Sequence, residues 1–175
     1  MNNAIEITTM LHAQPYSIDA TGFYFNSAED YAAKAAKNFD RFGQFVEEYE
    51  IQFIDGESTD CDIAKAWGLN QCNFVDFLSQ IDEWDDNQKI RFIIANGECG
   101  AGFDPKTDDI DHLDIDIYEV GSLKDLAEQF VDDGLFGEIP HHLANYIDYE
   151  AIARDLAADY TMTEISGTNY AYRLG

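Results

Sequence analysis

The sequence predicts an α+β protein made of three small domains. Short segments near both ends of the chain alternate apolar and polar residues, which is the pattern of half-buried strands. Between them, apolar residues recur at the helical spacing of three and four. The period changes near residue 58, and a glycine-rich stretch lies near residue 100. We therefore expect domains at residues 1–57, 58–103 and 104–175.

The N-terminal domain is predicted to be a β-β-α-β unit. Strands are expected at residues 5–11, 22–26 and 47–56, with a turn over residues 13–21. SAED at residues 27–30 has the Ser-x-x-acid form of a helix start, and apolar residues follow at helical spacing through Phe39.

The central domain is predicted to be helical. Helices are expected at residues 62–68, 71–84 and 85–96, and the second carries a single apolar stripe. That stripe consists of Phe74, Phe77, Leu78 and Ile81. The stretch GECGAGFDPKTDD, with three glycines and a proline, is the predicted linker to the next domain.

The C-terminal domain is predicted to open with an acidic strand in DDIDHLDIDIYEV, residues 108–120. A strand alternates faces with period two, so one face is buried while the other presents carboxylates. The expected buried face is Leu113, Ile115 and Ile117, and the expected acidic face is Asp114, Asp116 and Tyr118.

The rest of this domain is predicted to be helical up to a closing hairpin. An amphipathic helix is expected at residues 122–133, with Leu123, Leu126, Ala127 and Phe130 facing inward. Two shorter helices are predicted at residues 139–148 and 149–160. The hairpin joins residues 161–166 to 169–175 across Gly167.

Charge is the feature that most restricts function. The chain has 35 acidic and 10 basic residues, a net charge of −25. A compact chain of this length is roughly 40 Å across, and about 25 charges match roughly 43 Å of duplex DNA. Such a field repels nucleic acid and anionic lipid and attracts basic protein surfaces. We expect no direct nucleic-acid binding and no membrane association.

No catalytic or metal-binding pattern stands out, and we expect no enzyme, metal or cofactor. The acidic strand lacks the glycine and glutamate positions of a calcium loop. His141 and His142 are adjacent, so they point in different directions on a helix. Three cysteines without a C-x-x-C pair, together with an N-terminus unlike a signal peptide, favour a cytoplasmic protein.

The stretch LKDLAEQFVDDGLFGEIPHHLANYIDYEAIARDL, residues 123–156, closely resembles the ArdA-type antirestriction proteins. The core of the resemblance is DDGLFGEIP followed by LANYIDYEAIARDL at matching spacing. It implies an elongated row of three small domains and a two-fold dimer formed through the C-terminal domain. It also implies a DNA mimic, encoded on mobile elements, that blocks type I restriction-modification enzymes by occupying the DNA-binding groove of their specificity and methyltransferase subunits.

The resemblance places the family's antirestriction motif in the acidic C-terminal region. Together with the acidic strand, this predicts ten partner-binding residues: Asp109, Asp111, Asp114, Asp116, Glu119, Asp125, Glu128, Asp132, Asp133 and Glu138. Apolar neighbours are the candidates for packing and dimer contacts: Leu135, Phe136, Ile139, Tyr146, Ile147 and Tyr149.

Other interpretations of the acidity stay open at this point. The protein is alternatively an acidic decoy or chaperone for another basic DNA-binding protein, which involves the same physics with a different partner. A merely soluble acidic surface and halophilic adaptation also produce a low isoelectric point.

Overall fold

The structure is a computed structural model that describes residues 8–105 and 107–175. The chain divides into two compact units, Met1–Asp111 and His112–Gly175, each built around a three-stranded antiparallel sheet. The mixed α+β class is confirmed, whereas the division into three domains stays a prediction. None of the described helices is long and apolar enough to cross a membrane.

The sheet of the first unit has the order β2-β1-β3. Its strands are β1 (Met10–Pro15), β2 (Phe23–Phe25) and β3 (Tyr49–Asp55). Part of the strand predicted at residues 5–11 lies outside the described residues. The turn predicted from residue 13 begins only after Pro15, because Gln14 and Pro15 pair with β3. Pairing across the sheet here overrides local turn propensity.

Helix α1 (Ala28–Ala35) begins where the Ser-x-x-acid pattern predicts. The Ser27 hydroxyl accepts a hydrogen bond of 3.1 Å from the Asp30 backbone N–H, satisfying one of the free donors of the first turn. The helix ends before Phe39, which the spacing assigned to it. Phe39 instead pairs with Phe45 in an isolated β-bridge.

Three helices follow in the same unit, and the predicted helical region is confirmed. They are α2 (Ser58–Trp67), α3 (Phe74–Glu83) and α4 (Asp86–Phe92), the last continued by a π-helical turn at Ile93–Glu98. Asp85 and Gln88 form a capping box at the start of α4. Aromatic contacts join α3 to the sheet and to α1, since the Phe74 ring lies 5.2 Å from that of Phe25 and 4.6 Å from that of Tyr31.

A buried ion pair also connects elements of the first unit. Lys89 on α4 and Asp60 on α2 are both buried, and their Nζ and Oδ1 atoms lie 2.9 Å apart. The Thr9 hydroxyl donates to the other Asp60 oxygen at 3.3 Å, and Glu57 lies 3.8 Å from the Lys89 ammonium. A charge taken out of water needs such partners, because desolvation alone would be strongly unfavourable.

In the second unit, helices pack on a sheet of order β4-β6-β5. Its elements are β4 (Ile115–Glu119), α5 (Leu123–Asp132), α6 (Tyr149–Leu156), β5 (Thr161–Ile165) and β6 (Thr168–Leu174). The core cluster consists of Leu126, Phe130, Tyr160 and Ala171. The predicted hairpin is confirmed: Ser166 and Gly167 both have positive φ, +50° and +85°, which suits a two-residue turn.

Two predictions for this unit are wrong. Tyr118, expected on a solvent-facing acidic face, packs against the core cluster, with its ring 5.2 Å from that of Phe130. The helix predicted at residues 139–148 is reduced to a 3-10 turn at Ala144–Tyr146. Leu143 is exposed there, and a short helix without tertiary packing is marginal in water.

The buried pair yields a prediction for stability. Asp60→Asn should lower the free energy of unfolding by about 3 kcal/mol, because it leaves the Lys89 charge buried without its main partner. The same change at Asp30, which pairs with Lys34 at the surface, should cost at most about 1 kcal/mol. Urea unfolding monitored by tryptophan fluorescence measures both. Adding Lys89→Met to Asp60→Asn should recover much of the loss, and equal losses for the Asp60 and Asp30 variants would contradict the assignment.

Candidate acidic interaction surface

The basic side chains of the protein are largely engaged with its own acids. Ion pairs occur in both units: Lys34–Asp30, Arg41–Asp19, Lys65–Asp62, Lys89–Asp60, Lys124–Glu150 and Arg173–Asp116. If each of the 10 bases neutralises one of the 35 acids, 25 carboxylates have no base to offset them. The surface is therefore a source of negative field rather than a mosaic of both signs.

The ten predicted partner-binding acids are distributed over both units. Asp109 and Asp111 belong to the first unit, and the other eight belong to the second. Nine of the ten are exposed, and Asp116 is half-buried. Asp111 accepts a hydrogen bond of 3.1 Å from the Gln88 side chain, so its carboxylate is held in place.

Helix α5 presents the most regular of these acids. Ser122 caps the helix by accepting a 3.2 Å hydrogen bond from the Asp125 backbone N–H. The inward positions predicted from the spacing are confirmed, with Leu126 and Phe130 in the core. The acids outside this stripe are Asp125, Glu128 and Asp132. Residues three or four apart on a helix have Cβ atoms about 5–6 Å apart, so these carboxylates form a closely spaced series.

Asp116 has a cationic partner on the neighbouring strand. Arg173 lies opposite it on β6, donates to its carboxylate through Nε at 3.1 Å and again through Nη2, and stacks 5.1 Å from the centre of the Tyr160 ring. Hydrogen bonding to Asp116 raises the pKa of the Arg173 guanidinium, and burial raises the pKa of the Tyr160 hydroxyl. The sequence predicts Asp116 as one of a row of mutually repelling carboxylates, whereas in the structure it pairs with a cation. Its partner is 57 residues away in sequence, so no local pattern indicates it.

An exposed apolar segment follows α5. Gly134 and Gly137 adopt positive φ and separate the helix from the residues beyond it. Of the six predicted packing residues, Leu135, Phe136 and Tyr146 are 62%, 56% and 83% exposed. Ile139, Ile147 and Tyr149 are half-buried. Leu143, which sequence reasoning did not single out, is also exposed. Among the residues that the structure describes, this segment, Gly134–Ile147, therefore has few packing partners.

Potential metal ligands, a polar cleft and three cysteines are the features that bear on chemistry. Among the residues that the structure describes, no three His, Cys, Asp or Glu side chains are placed to hold a metal ion. A polar cleft of about 580 Å³ in the first unit contains Lys89 and Asp60 in its lining, and these two groups neutralise each other. Cys61, Cys72 and Cys99 form no disulfide bond.

Comparison with known proteins points to one family. A family model described as antirestriction protein (ArdA) matches residues 9–170, which includes most of both units. The comparison with curated protein sequences gave no match. The match extends well beyond the C-terminal stretch that carries the resemblance in sequence, so the first unit belongs to the family pattern too. This chain is therefore a member of the ArdA antirestriction family, which acts against type I restriction-modification enzymes.

Proposed function

We propose that this protein is a DNA mimic that inhibits type I restriction-modification enzymes without catalysing any reaction. In the cytoplasm, it occupies the groove in which the specificity and methyltransferase subunits bind DNA. The observation that carries the proposal is the surplus of 35 acids over 10 bases, borne on a folded body in which six of the bases form ion pairs with its own acids.

The charge is spread over the whole protein rather than concentrated in a tail. Residues 1–111 contain 22 acids and 7 bases, and residues 112–175 contain 13 acids and 3 bases. Both units therefore contribute a net negative field. The Cβ atoms of neighbouring acids along α5 lie about 5–6 Å apart, similar to the separation of adjacent phosphates along one DNA strand. A groove lined with lysine and arginine for phosphates thus meets charges at suitable intervals.

Affinity in this mechanism comes mainly from long-range attraction and ion release. When a basic groove binds the protein, the anions held by the groove and the cations held by the carboxylates return to solution. Binding should therefore weaken steeply as salt rises. Exposed ion pairs are individually weak, so no single carboxylate should dominate.

We further propose that the working form is a homodimer joined through the exposed apolar segment Gly134–Ile147. Its side chains include Leu135, Phe136 and Tyr146, which are well exposed in the single chain. Contiguous exposed apolar residues commonly mark protein interfaces. Burial of such a segment has to offset the repulsion between two chains that each carry a charge of −25.

Assembly is tested by removing the apolar groups from this segment. The double variant Leu135→Ser and Phe136→Ser should have about half the molar mass of the unaltered protein in light scattering at matched concentration, because a Ser side chain cannot replace the buried apolar area. Val75→Ser, which alters an exposed apolar residue on α3, serves as the control and should keep the dimer mass. An unchanged mass for the folded double variant would reject this segment as the interface.

Inhibition is tested by displacement of labelled duplex from a type I methyltransferase core across a salt series. The protein should displace DNA near stoichiometry at low salt and lose this ability as salt rises. Glu128→Gln alone should change the displacement midpoint by less than about threefold, whereas neutralising eight exposed acids should weaken it progressively and flatten the salt dependence.

Two outcomes would contradict the proposal. If Glu128→Gln abolished displacement while circular dichroism showed a folded protein, binding would depend on one site rather than on a distributed field. If folded protein failed to displace DNA at low salt, its partner would instead be another basic protein, for which it would act as a decoy or chaperone.

A further inference from the structure

A second exposed apolar surface lies in the first unit and plays no part in the mechanism proposed above. It is formed by five residues of two neighbouring loops, here called the aromatic patch: Tyr16, Ile18, Phe39, Phe42 and Phe45. Ile18 is 96% exposed and Phe42 is 68% exposed. In a chain with such a surplus of charge, five large apolar side chains at the surface of one region call for an explanation.

The loop that carries the three phenylalanines is held by hydrogen bonds. One carboxylate oxygen of Asp40 accepts from the backbone N–H of Phe42 at 2.9 Å and from that of Gln44 at 2.8 Å. The Asp40 N–H donates to the Gln44 carbonyl at 2.8 Å, and Gly43 turns the chain with φ +80°. At the base of the turn, the Phe39 and Phe45 rings are 5.7 Å apart in an edge-to-face arrangement. The hydrogen bonds of the turn therefore hold Phe42 at the surface in a fixed backbone conformation.

Arg41 joins this turn to the loop that carries Ile18. Its backbone N–H donates to the Asp19 carbonyl at 3.0 Å, and its Nε lies 2.9 Å from the Asp19 carboxylate. The same guanidinium stacks 4.7 Å from the centre of the Phe42 ring. Arg41 thus fixes the two loops side by side, and Asp19 already neutralises its charge.

Acidic groups lie along one side of the aromatic patch. A groove of about 260 Å³ is lined by Tyr16 and Phe45 together with Asp40, Glu47 and Glu48. Both glutamates are exposed. An apolar centre with a polar rim is the usual anatomy of a protein interface, and the acids of this groove make that side of the rim negative. The complementary surface has an apolar pocket with lysines and arginines around it.

We propose that the aromatic patch is an apolar anchor that docks onto the basic target protein beside the groove that binds the acidic surface. This inference rests on the proposed function and adds a contact that DNA does not make. A second copy of this chain fits poorly, because it would bring Asp40, Glu47 and Glu48 against the same acids. Lone negative charge attracts any basic DNA-binding protein, whereas a shaped apolar contact selects among them.

The test compares Phe42→Ser and Ile18→Ser, singly and together, with Val75→Ser in the displacement assay with the methyltransferase core. All three side chains are exposed, so the variants should fold, which circular dichroism verifies. The double variant should bind about tenfold more weakly than the unaltered protein, as expected for truncation of interface anchors. Its salt dependence should keep the original slope, because no charge has been removed. Val75→Ser should behave like the unaltered protein.

Each result separates the two proposals. If the unaltered protein displaces DNA and the double variant does so equally well, the anchor is rejected while DNA mimicry stands. If the unaltered protein displaces nothing at low salt, the proposed function fails first, and the anchor fails with it. If the double variant changes the molar mass in light scattering, the aromatic patch joins copies of this chain and the proposal is overturned.

Discussion

Repulsion among carboxylates is the constraint on which the rest of this structure depends. A net charge of −25 on 175 residues disfavours any compact state, so the fold must be stabilised by terms that do not require cations. Aromatic packing supplies much of this in both units. The rings of Trp67, Trp84 and Phe92 lie 5.0–5.8 Å from one another in the first unit, and Tyr118, Phe130 and Tyr160 form a similar cluster in the second. Contacts between aromatic rings bury large apolar areas, and the acidic side chains remain at the surface.

The backbone offsets part of the repulsion as well. Each of the six α-helices within residues 8–105 and 107–175 carries an acid in its first turn, where the helix dipole favours negative charge. Asp85 and Asp148 act as N-caps and accept backbone N–H groups. These acids are stabilised locally and still contribute to the field around the protein. The basic side chains are then left for a few structural ion pairs. The clearest of these are formed by Lys89 in the first unit and Arg173 in the second.

Elements that depend on residues close by in sequence were predicted correctly. The errors occur where a residue's partner lies far away in sequence. The Ser27 and Ser122 caps, the amphipathic face of α5 and the turn at Gly167 each depend on neighbours within a few residues. The packing of Tyr118 on β4 against the core depends instead on α5 and on Tyr160. Alternation alone cannot identify the buried face of a strand when both faces carry apolar groups. The same holds for Gly134–Ile147, where an apolar pattern suggested a helix but several side chains stay exposed among the residues that the structure describes. For the candidate site, composition indicated the charge, and only the structure showed that Arg173 pairs with Asp116.

The surface then combines two kinds of contact with different physics. Carboxylates act over distances of about a Debye length, roughly 8 Å at physiological salt, and attract any strongly basic groove. The carboxylates attract a partner from a distance and speed association, and many groups share this effect. Apolar side chains such as Phe42 act only in contact and are insensitive to salt, so they distinguish one basic surface from another. Under the proposed function, the protein competes with DNA for an enzyme and has to ignore the many other proteins that bind DNA, so it needs both kinds of contact. The hydrogen-bonded turn around Asp40 would then supply the apolar contact, and the acids of both units would supply the long-range attraction.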